Sequence, residues 1–345
     1  MDLKGLAKHL NLSITTVSRA LNGYSDVSPR TRERVEEAAA RLGYSPNPLG
    51  QRLRRGKTEA IGIVLPAPAE HFGDPFFLEL IAGLGTGLRS SGYDLVVTCC
   101  PEGPEEANYY RRFVAGRRVD GLIVTNTRRR DERILYLLDQ DFPFVAFGRS
   151  DEVRRPFPYL DFDGEAGFRV ATDYLIELGH RRIGLVTAPA EYNYGNHRLA
   201  GYKAALAAAG LDYDADLVIH GPPSETGGRR GAERFLKLAA PPTAILCATD
   251  LMAIGAMYAL QDYGLRPGRD VSVVGYDDIP LARLTDPTLT TSRQPTREAG
   301  RQLFDLLMRR IDGTPVEELQ QVLMSELVVR ASTAAPAAPA AVAAA

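Results

Sequence analysis

Few cysteines and no long apolar run occur in this sequence of 345 residues. The three cysteines, Cys99, Cys100 and Cys247, match neither a disulfide framework nor a zinc site, so we expect reduced, buried thiols. No apolar run approaches the roughly 18 residues of a membrane span, and no basic-then-apolar signal pattern opens the chain. These absences predict a cytoplasmic protein with no metal, no cofactor and no membrane partner.

Catalytic motifs are also missing, since neither a nucleophile elbow nor a phosphate-binding loop occurs. The glycines of residues 83–87 resemble a dinucleotide-binding motif, but Leu88 stands where the third glycine belongs. The segment has a helical pattern, so we interpret its small residues as positions of close packing. Asp277 and Asp278 lack a histidine companion, and we interpret them as a ligand contact and an inter-lobe or capping contact. We therefore expect no enzymatic activity.

Charge is divided unevenly along the chain. Residues 1–57 contain eleven Lys and Arg against five Asp and Glu, a net charge of +6, whereas the remainder carries −8. A small basic module on an acidic body is typical of a nucleic-acid-binding protein with a separate regulatory domain.

Three short helices are predicted within the basic module. Apolar residues recur at helical spacing in residues 3–10, and a second helix follows a tight turn, between a capping Ser13 and a terminating Gly23. A third helix begins with Ser28 as cap and Pro29 as first residue. This order predicts a helix-turn-helix.

The second of these helices has two contrasting faces. Val17, Ala20 and Leu21 share a face suited to burial. The opposite face presents hydroxyls and a guanidinium, and its members are Ile14, Thr15, Ser18 and Arg19. Such a face indicates contact with a polar partner.

A short basic connector, residues 44–57, follows the three helices. Asn47 and Pro48 could start a helix there, but only about two turns are available, and isolated helices of that length are marginal in water. We predict a hinge that is helical only when docked. The alternative is a solvated linker whose basic residues are incidental.

From Ile61 onward, strand-like apolar runs alternate with helical patterns. The predicted strands are residues 61–65, 94–98, 121–125, 144–147, 183–187, 217–220, 244–248 and 271–275. This alternation predicts an α/β fold of parallel sheets wrapped by helices. The strands are too many for one modest sheet, so we expect two lobes with a ligand cleft at the carboxyl ends of their strands.

Several stretches together carry a family resemblance. They are TTVSRALNG at residues 15–23, residues 32–39 followed by LGYSPN at 42–47, LGHRRI at 178–183, RLAGY at 198–202 and VGYDD at 274–278. Their order and spacing, from residue 2 to about residue 330, resemble the LacI/GalR (lactose repressor) family of bacterial transcription regulators. The features also resemble, more loosely, regulators of α-glucoside use.

This resemblance implies a homodimer that binds a near-palindromic operator in double-stranded DNA. The positions that match base-reading residues are Ile14, Thr15 and Arg19, and those that match phosphate contacts are Ser13, Thr16, Ser18 and Asn22. Arg19 suits guanine, because its fork can bond O6 and N7 together. In the hinge, Leu53 matches a wedge that opens a base step in the minor groove, with Asn47 and Arg54 beside it.

The resemblance further implies a periplasmic-binding-protein-like (type I) core that binds a small effector. The matched or neighbouring cleft positions are Phe76, Phe77, Asp163, Tyr192, Asn193, Asn196, Arg198, Asp250, Asp277 and Gln294. Carboxylates and amides next to aromatic rings favour a carbohydrate effector. An anionic, purine-like effector would require more cations than Arg198 alone supplies.

We predict four parts with these boundaries, the third of which divides into two lobes. Residues 1–46 form the helix-turn-helix domain, 47–58 the hinge, 59–331 the core and 332–345 a disordered Ala/Pro tail. Within the core, lobe 1 comprises residues 59–161 and 292–317, and lobe 2 comprises residues 162–291 and 318–331. His180, after Gly179, is interpreted as a helix-capping residue.

The predicted function is sequence-specific DNA binding, as a repressor whose operator affinity a small molecule controls. The effector would shift how the lobes of two subunits pack and thereby change the spacing of the hinges. The alternative is a periplasmic-type sugar-binding protein without a regulatory role, which the core alone would support.

Overall fold

The computed structural model describes residues 1–44, 57–66, 74–101, 103 and 105–336. The chain divides into two compact units, Met1–Glu59 and Ala60–Ala345, which are described separately. Among the described residues, no helix is long and apolar enough to cross a membrane.

The first unit contains three helices, α1 (Leu3–Leu10), α2 (Ile14–Leu21) and α3 (Pro29–Arg41). Their N-caps are Asp2, Ser13 and Ser28, and each cap side chain accepts a hydrogen bond from a backbone amide of the first turn. A small core joins the helices through Leu6, Ala7, Leu10, Val17, Ala20, Val27, Val35, Ala38 and Ala39.

The second unit contains twelve strands and eight α-helices among its described residues. The strands are β1 (Ala60–Pro66), β2 (Asp94–Cys100), β3 (Gly121–Val124), β4 (Phe144–Phe147), β5 (Tyr159–Phe162), β6 (Ile183–Thr187), β7 (Val218–His220), β8 (Ala244–Cys247), β9 (Ser272–Asp277), β10 (Thr290–Arg293), β11 (Gln320–Leu323) and β12 (Glu326–Val328). The helices are α4 (Pro75–Leu88), α5 (Glu106–Ala115), α6 (Glu132–Asp139), α7 (Gly164–Glu177), α8 (Asn193–Ala208), α9 (Glu225–Leu236), α10 (Asp250–Asp262) and α11 (Thr296–Ile311).

These strands form two six-stranded sheets, in the orders β11-β5-β4-β3-β1-β2 and β12-β10-β9-β8-β6-β7. All neighbours are parallel except β10 and β12, so the predicted α/β architecture of parallel sheets is confirmed. The central strands are buried on both faces, as in the fully buried β3 and β8, which explains their continuous apolar sequences.

Each sheet with its helices forms one lobe, and the chain passes between the lobes three times. The passages follow β5, β10 and β11, so β10 belongs to the second sheet and β11 to the first. The boundaries predicted at residues 292 and 318 differ from this arrangement. The reason is that β10 and β11 are short, polar strands that an apolar pattern does not reveal.

Close packing of small residues in α4 is confirmed. A Cβ atom on Gly83 would lie 2.0 Å from the backbone oxygen of Arg297 in α11, and one on Gly87 would lie 2.4 Å from the Phe304 ring. The two helices therefore approach each other at a distance that only glycine permits.

The beginning of the predicted disordered tail is ordered. Ser332 is fully buried, and its hydroxyl donates to the Val273 oxygen at 2.6 Å. His180, predicted to cap a helix, donates its backbone N–H to the Leu175 oxygen at 3.1 Å at the end of α7, and its ring also holds this segment, with Nε2 2.9 Å from the Ala334 oxygen. Residues 337–345 lie outside the described part of the chain.

Candidate functional site

The outer face of α2 is largely exposed. Ile14 is 46% exposed, and Thr15 is also exposed. Ser18, predicted to face outward, is instead only 7% exposed. It lies at the border of the two faces, and the Asn22 amide donates to the Ser18 backbone oxygen at 2.5 Å, so both residues already have partners within the helix.

The two hydroxyls at the start of α2 form its cap. Ser13 Oγ accepts from the Thr16 backbone N–H at 3.0 Å and lies 2.8 Å from Thr16 Oγ1. Ser13 is exposed, so its hydroxyl can contact an external group while it caps the helix.

Arg19 is held by two side chains of the loop that follows α2. Its Nη2 atom lies 2.7 Å from Asp26 Oδ2, and its Nε donates to Asp26 Oδ1 at 3.0 Å. The guanidinium carbon also lies 4.6 Å from the centre of the Tyr24 ring. Arg19 therefore has a defined orientation on the surface of the unit.

The hinge residues Asn47, Leu53 and Arg54 lie outside the described residues.

The second unit contains a cleft between its two lobes, where parallel strands end and the chain crosses over. Its lining residues are Asp74, Phe76, Phe77, Asn126, Thr127, Phe147, Gly148, Arg149, Asp161, Phe162, Gly164, Asn193, Tyr194, His197, Arg198, Pro223, Thr249, Asp277 and Gln294. Six of the ten predicted cleft residues are among them, namely Phe76, Phe77, Asn193, Arg198, Asp277 and Gln294.

An aromatic group forms one wall of the cleft. The Phe76 and Phe147 rings are stacked with centroids 5.9 Å apart, and Phe77 meets Phe76 edge to face at 5.5 Å. Phe162 meets Phe147 in the same way at 5.9 Å. These rings offer an apolar surface to a flat ligand.

The helix α8 supplies a second wall. Its first residue is Asn193, so the predicted cleft residues Asn193 and Asn196 lie in its first turn. Asn193, Tyr194, His197 and Arg198 all line the cleft. Their spacing of i, i+1, i+4 and i+5 places them on one helical face.

Arg198 lies deep in the cleft. Its guanidinium carbon is 4.1 Å from the centre of the Tyr276 ring and 4.7 Å from that of Tyr194, and Nη1 donates to the Ala248 oxygen. Within the described part of the chain, Arg198 Nε and Asn193 Oδ1 are buried without a hydrogen-bond partner. Both atoms belong to residues that line the cleft, and they retain hydrogen-bonding capacity for a polar ligand group.

Asp277 lies opposite, at the end of β9. Gln294, in the crossover after β10, donates from Nε2 to Asp277 Oδ1 at 2.5 Å. Burial raises the pKa of the Asp277 carboxyl well above its ordinary value, and the nearby Arg198 only partly offsets this effect. When it is protonated, this carboxyl can both donate and accept hydrogen bonds.

The other four predicted cleft residues are not among the lining residues. Asp163 caps α7 and accepts from the Ala166 amide at 2.9 Å, while the Asn196 amide donates to the Ala190 and Tyr192 oxygens. Tyr192 is buried and precedes α8. Asp163 and Asn196 thus hold the local backbone, and the Tyr192 ring stacks on that of Tyr194 with centroids 5.8 Å apart.

Asp250, the fourth, does not line the cleft but holds the segment that follows the cleft residue Asp277. Its two oxygens accept from the Thr291 hydroxyl at 2.5 Å and from the Ile279 amide at 2.9 Å. The segment that carries Asp277 is thereby fixed to α10 and β10.

Several lining residues were missed by sequence reasoning. Asn126 and Thr127 follow β3, and Gly148 and Arg149 follow β4, so the carboxyl ends of two predicted strands could have indicated them. Asp161 escaped notice because β5 itself was not predicted. It accepts from Arg149 Nε at 2.6 Å, which ties two cleft residues together.

A buried ion cluster positions the loop after β3. Arg133 donates from Nη2 to the Asn126 oxygen at 3.0 Å and to Asp131 at 2.7 Å, and it also pairs with Glu106. Because the ions are buried and mutually paired, they fix the backbone beside Thr127.

Direct contacts join the lobes at the cleft. The Asn193 backbone N–H donates to the Thr127 oxygen at 2.9 Å, and its side-chain amide donates to the Arg149 oxygen at 3.0 Å. His197 Nε2 also lies 3.0 Å from Asp151 Oδ2. The structure therefore shows the two lobes in contact around the ligand space.

A helix-turn-helix unit and a two-lobed core with a polar, partly unsatisfied cleft define a class of protein: a DNA-binding regulator that responds to a small molecule. Comparison with protein families agrees with this class. Residues 2–47 match bacterial regulatory proteins of the lacI family, and residues 172–333 match a periplasmic binding protein-like domain.

Similar proteins share nearly the whole length of the chain. The transcriptional regulator AglR of Rhizobium meliloti is 40% identical and aligns with 96% of this chain and 94% of its own. A solved CelR–cellobiose complex is 35% identical with a TM-score of 0.75, over 96% of this chain and 99% of the other. The lac repressor dimer bound to operator and anti-inducer is 31% identical with a TM-score of 0.83, over 97% and 99%.

The chain belongs to the LacI family of bacterial regulatory proteins and is a DNA-binding transcriptional regulator. Because the similarity to regulators includes the helix-turn-helix unit, the alternative of a solute-binding protein without a regulatory role is wrong.

Proposed function

We propose that this protein is a cytoplasmic repressor, active as a homodimer, whose affinity for a near-palindromic operator is controlled by a carbohydrate. The observation that carries the effector proposal is the pair of unpartnered buried atoms in the cleft, Asn193 Oδ1 and Arg198 Nε. One is an acceptor and the other a donor, as the hydroxyl groups of a sugar require.

The remaining lining residues support the same ligand class. Asp277 and Asp161 offer carboxyl oxygens, and the Phe76 and Phe147 rings offer an apolar surface for the C–H face of a sugar ring. Arg149 is already paired with Asp161, so one cation, Arg198, remains for an anionic ligand. This balance favours a neutral sugar over an anionic purine-like effector.

Named relatives support a sugar effector. A solved CelR complex holds cellobiose, and two lac repressor structures are named as complexes with ONPF and ONPG. The cleft of this chain is lined by aromatic rings and amide groups and by few charged side chains. Because the sequence also resembles regulators of α-glucoside use, we propose a glucoside, with a disaccharide of α-linked glucose as the first candidate.

On the DNA side, the proposed base-reading residues are Ile14, Thr15 and Arg19. Ile14 offers an apolar contact, for example to a thymine methyl, and Arg19 offers a fork to guanine. Ser13 and Thr16, at the helix N-terminus, are proposed to contact phosphate. For Ser18 and Asn22 the same role requires that they exchange partners within the helix.

Control of DNA binding is proposed to follow from closure of the cleft. A ligand that contacts both Asn193 of one lobe and Thr127 of the other favours the joined arrangement of the lobes. Such a preference shifts the population of core conformations and thus the operator affinity of the dimer.

A screen with purified full-length protein tests the effector proposal. We expect maltose, sucrose, trehalose or cellobiose to raise the melting temperature, since a ligand at 100 times its Kd stabilises by about 2.7 kcal/mol. The active sugar should also change binding to an operator selected from random DNA, and it should be recovered chemically unchanged, because no turnover is proposed.

Matched variants give the screen its control. Arg198→Met should abolish the thermal shift, whereas Arg230→Met, at an exposed position of α9, should leave it intact. A response to nucleosides and none to any sugar would overturn the carbohydrate proposal. Absence of any selected operator would overturn the regulatory one.

A further inference from the structure

The loop between α2 and α3 contains an acidic residue, Asp26, on a unit of net positive charge. Asp26 lies beside Arg19, and their side chains are 55% and 41% exposed. A pair so open to solvent contributes little to folding stability, because water screens the two charges. Its geometry is nevertheless specific, with two separate contacts from one carboxylate.

The contacts use one particular edge of the guanidinium. Asp26 accepts from Nε at 3.0 Å and pairs with Nη2 at 2.7 Å, which is the side of the group. The end formed by Nη1 and the second hydrogen of Nη2 has no part in these contacts. That end is the fork that bonds O6 and N7 of guanine.

A third residue fixes the plane of the same group. The Tyr24 ring lies with its centre 4.6 Å from the guanidinium carbon, a distance typical of cation–π stacking. The Tyr24 backbone oxygen in turn accepts from Arg32 Nη2 of α3 at 2.8 Å, which attaches the loop to the third helix. The orientation of Arg19 is thus set by groups outside α2.

We propose that Asp26 and Tyr24 are positioning residues that hold the Arg19 guanidinium for readout of one guanine and so determine operator specificity. The inference rests on the proposed role of Arg19 as a base reader. Without the pair, the flexible arginine would sample many rotamers, and its free end would meet base edges and phosphates indiscriminately. Restricting it lowers the conformational cost of the specific contact.

The opposite role for Asp26 gives a different result. A carboxylate that masked Arg19 would weaken binding to all DNA, and its removal would then raise affinity without loss of specificity. Loss of a negative charge also raises affinity for any duplex through the phosphate backbone. The informative quantity is therefore a ratio for each variant, namely its affinity for the selected duplex divided by its affinity for the same duplex with the G·C pair replaced.

The experiment begins with a duplex selected from random-sequence DNA by the wild-type protein. Base pairs are then replaced singly to find the G·C pair that Arg19→Ala no longer distinguishes. For wild type, its replacement should weaken binding about tenfold, which corresponds to about 1.4 kcal/mol. Asp26→Ala should reduce this ratio at least threefold, and Tyr24→Leu should reduce it less, because the carboxylate contacts remain.

A double variant separates positioning from a general structural effect. In the Arg19→Ala background, Asp26→Ala should leave the ratio unchanged, since Asp26 acts only through Arg19. Glu36→Gln, which removes an exposed acid of α3, should raise both affinities alike. Circular dichroism of each full-length variant verifies that the helices are retained.

Two outcomes overturn the inference. One is an undiminished ratio in Asp26→Ala with a folded protein, and the other is a further fall in the double variant. Failure to select any preferred duplex with wild type would instead overturn the proposed function itself, so the two failures are distinguishable.

Discussion

Two helices of this protein present polar groups at the same spacing but in opposite environments. On α2 the residues at i, i+1, i+4 and i+5 are Ile14, Thr15, Ser18 and Arg19, and on α8 they are Asn193, Tyr194, His197 and Arg198. Three of the first four remain at least partly exposed, whereas the second four line a cleft. Helical spacing therefore identifies a functional face without revealing whether it meets a macromolecule or encloses a small ligand.

The two arginines show what burial changes. Arg19 is 41% exposed on its side chain and paired with a carboxylate, so its charge is screened. Arg198 is 7% exposed and stacked on aromatic rings, and no ion pair of Arg198 occurs among the described residues. Substitutions of exposed residues on α2 should consequently alter binding alone, whereas those around the cleft should alter both folding and binding.

The largest effect is expected beneath the cleft, for Asp250→Ala. The substitution leaves the buried Thr291 hydroxyl and Ile279 amide without their acceptor. Each unsatisfied buried donor costs about 1–3 kcal/mol, so the free energy of unfolding should fall by about 2–6 kcal/mol. Denaturant titration of the full-length protein measures this loss.

Asp262→Ala, near the exposed end of the same helix, is the control. Its ion pair with Arg229 is open to solvent, and the expected loss is less than about 1 kcal/mol. If Asp250→Ala were no more harmful than this control, burial of the carboxyl would cost as much as its hydrogen bonds contribute. Burial would then not make the cleft region more sensitive to substitution than the exposed face of α2.

A smaller effect, of a different kind, is expected for Arg19→Ala. Because its side chain is outside the core of the first unit, thermal unfolding should not change. Affinity for the selected operator should fall by about 1–3 kcal/mol more than affinity for random DNA. Competition binding with both duplexes measures this difference. Equal losses of affinity on the two duplexes would show that Arg19 contacts phosphate and does not read a base.

The sequence predicted more of the first unit than of the second. In residues 1–44 the caps and apolar spacing are local signals, and they are enough to define three helices. The error at Ser18 arose because burial at the edge of a helical face depends on a neighbour, Asn22, and not on the period alone.

In the core, the apolar central strands were recognised, but β5, β10, β11 and β12 were not. The strand β10 illustrates the reason, since its Thr290, Thr291 and Ser292 are buried although none is apolar. Partners distant in sequence make this possible, such as Asp250 for the Thr291 hydroxyl. Likewise, the positions that match the family pattern include residues around the cleft. They could not distinguish Arg198, which lines the cleft, from Asp163, which caps a helix.

The smallest expected effect concerns two adjacent carboxyl groups, Asp277 and Asp278, and it appears as a dependence on pH. Burial raises the pKa of Asp277, so between its unfolded and folded pKa values the native state holds more protons than the unfolded state. Stability must therefore fall as pH rises through that range. Asp278 is also buried, but hydrogen bonds from Arg293 and Arg330 lower its pKa, so its contribution is lost only in acid.

Melting temperatures from about pH 5 to about pH 8 distinguish the two groups. Asp277→Asn should reduce the fall in melting temperature across this range, because the substitution removes the titrating group. Some fall should remain, because burial raises the pKa of Asp250 as well. Asp278→Asn should lower the melting temperature at every pH without changing the slope, since Asp278 stays ionised throughout. A slope unchanged by Asp277→Asn would mean that Asp277 is ionised in the free cleft, and the ligand would then meet a carboxylate in place of a neutral hydrogen-bond donor.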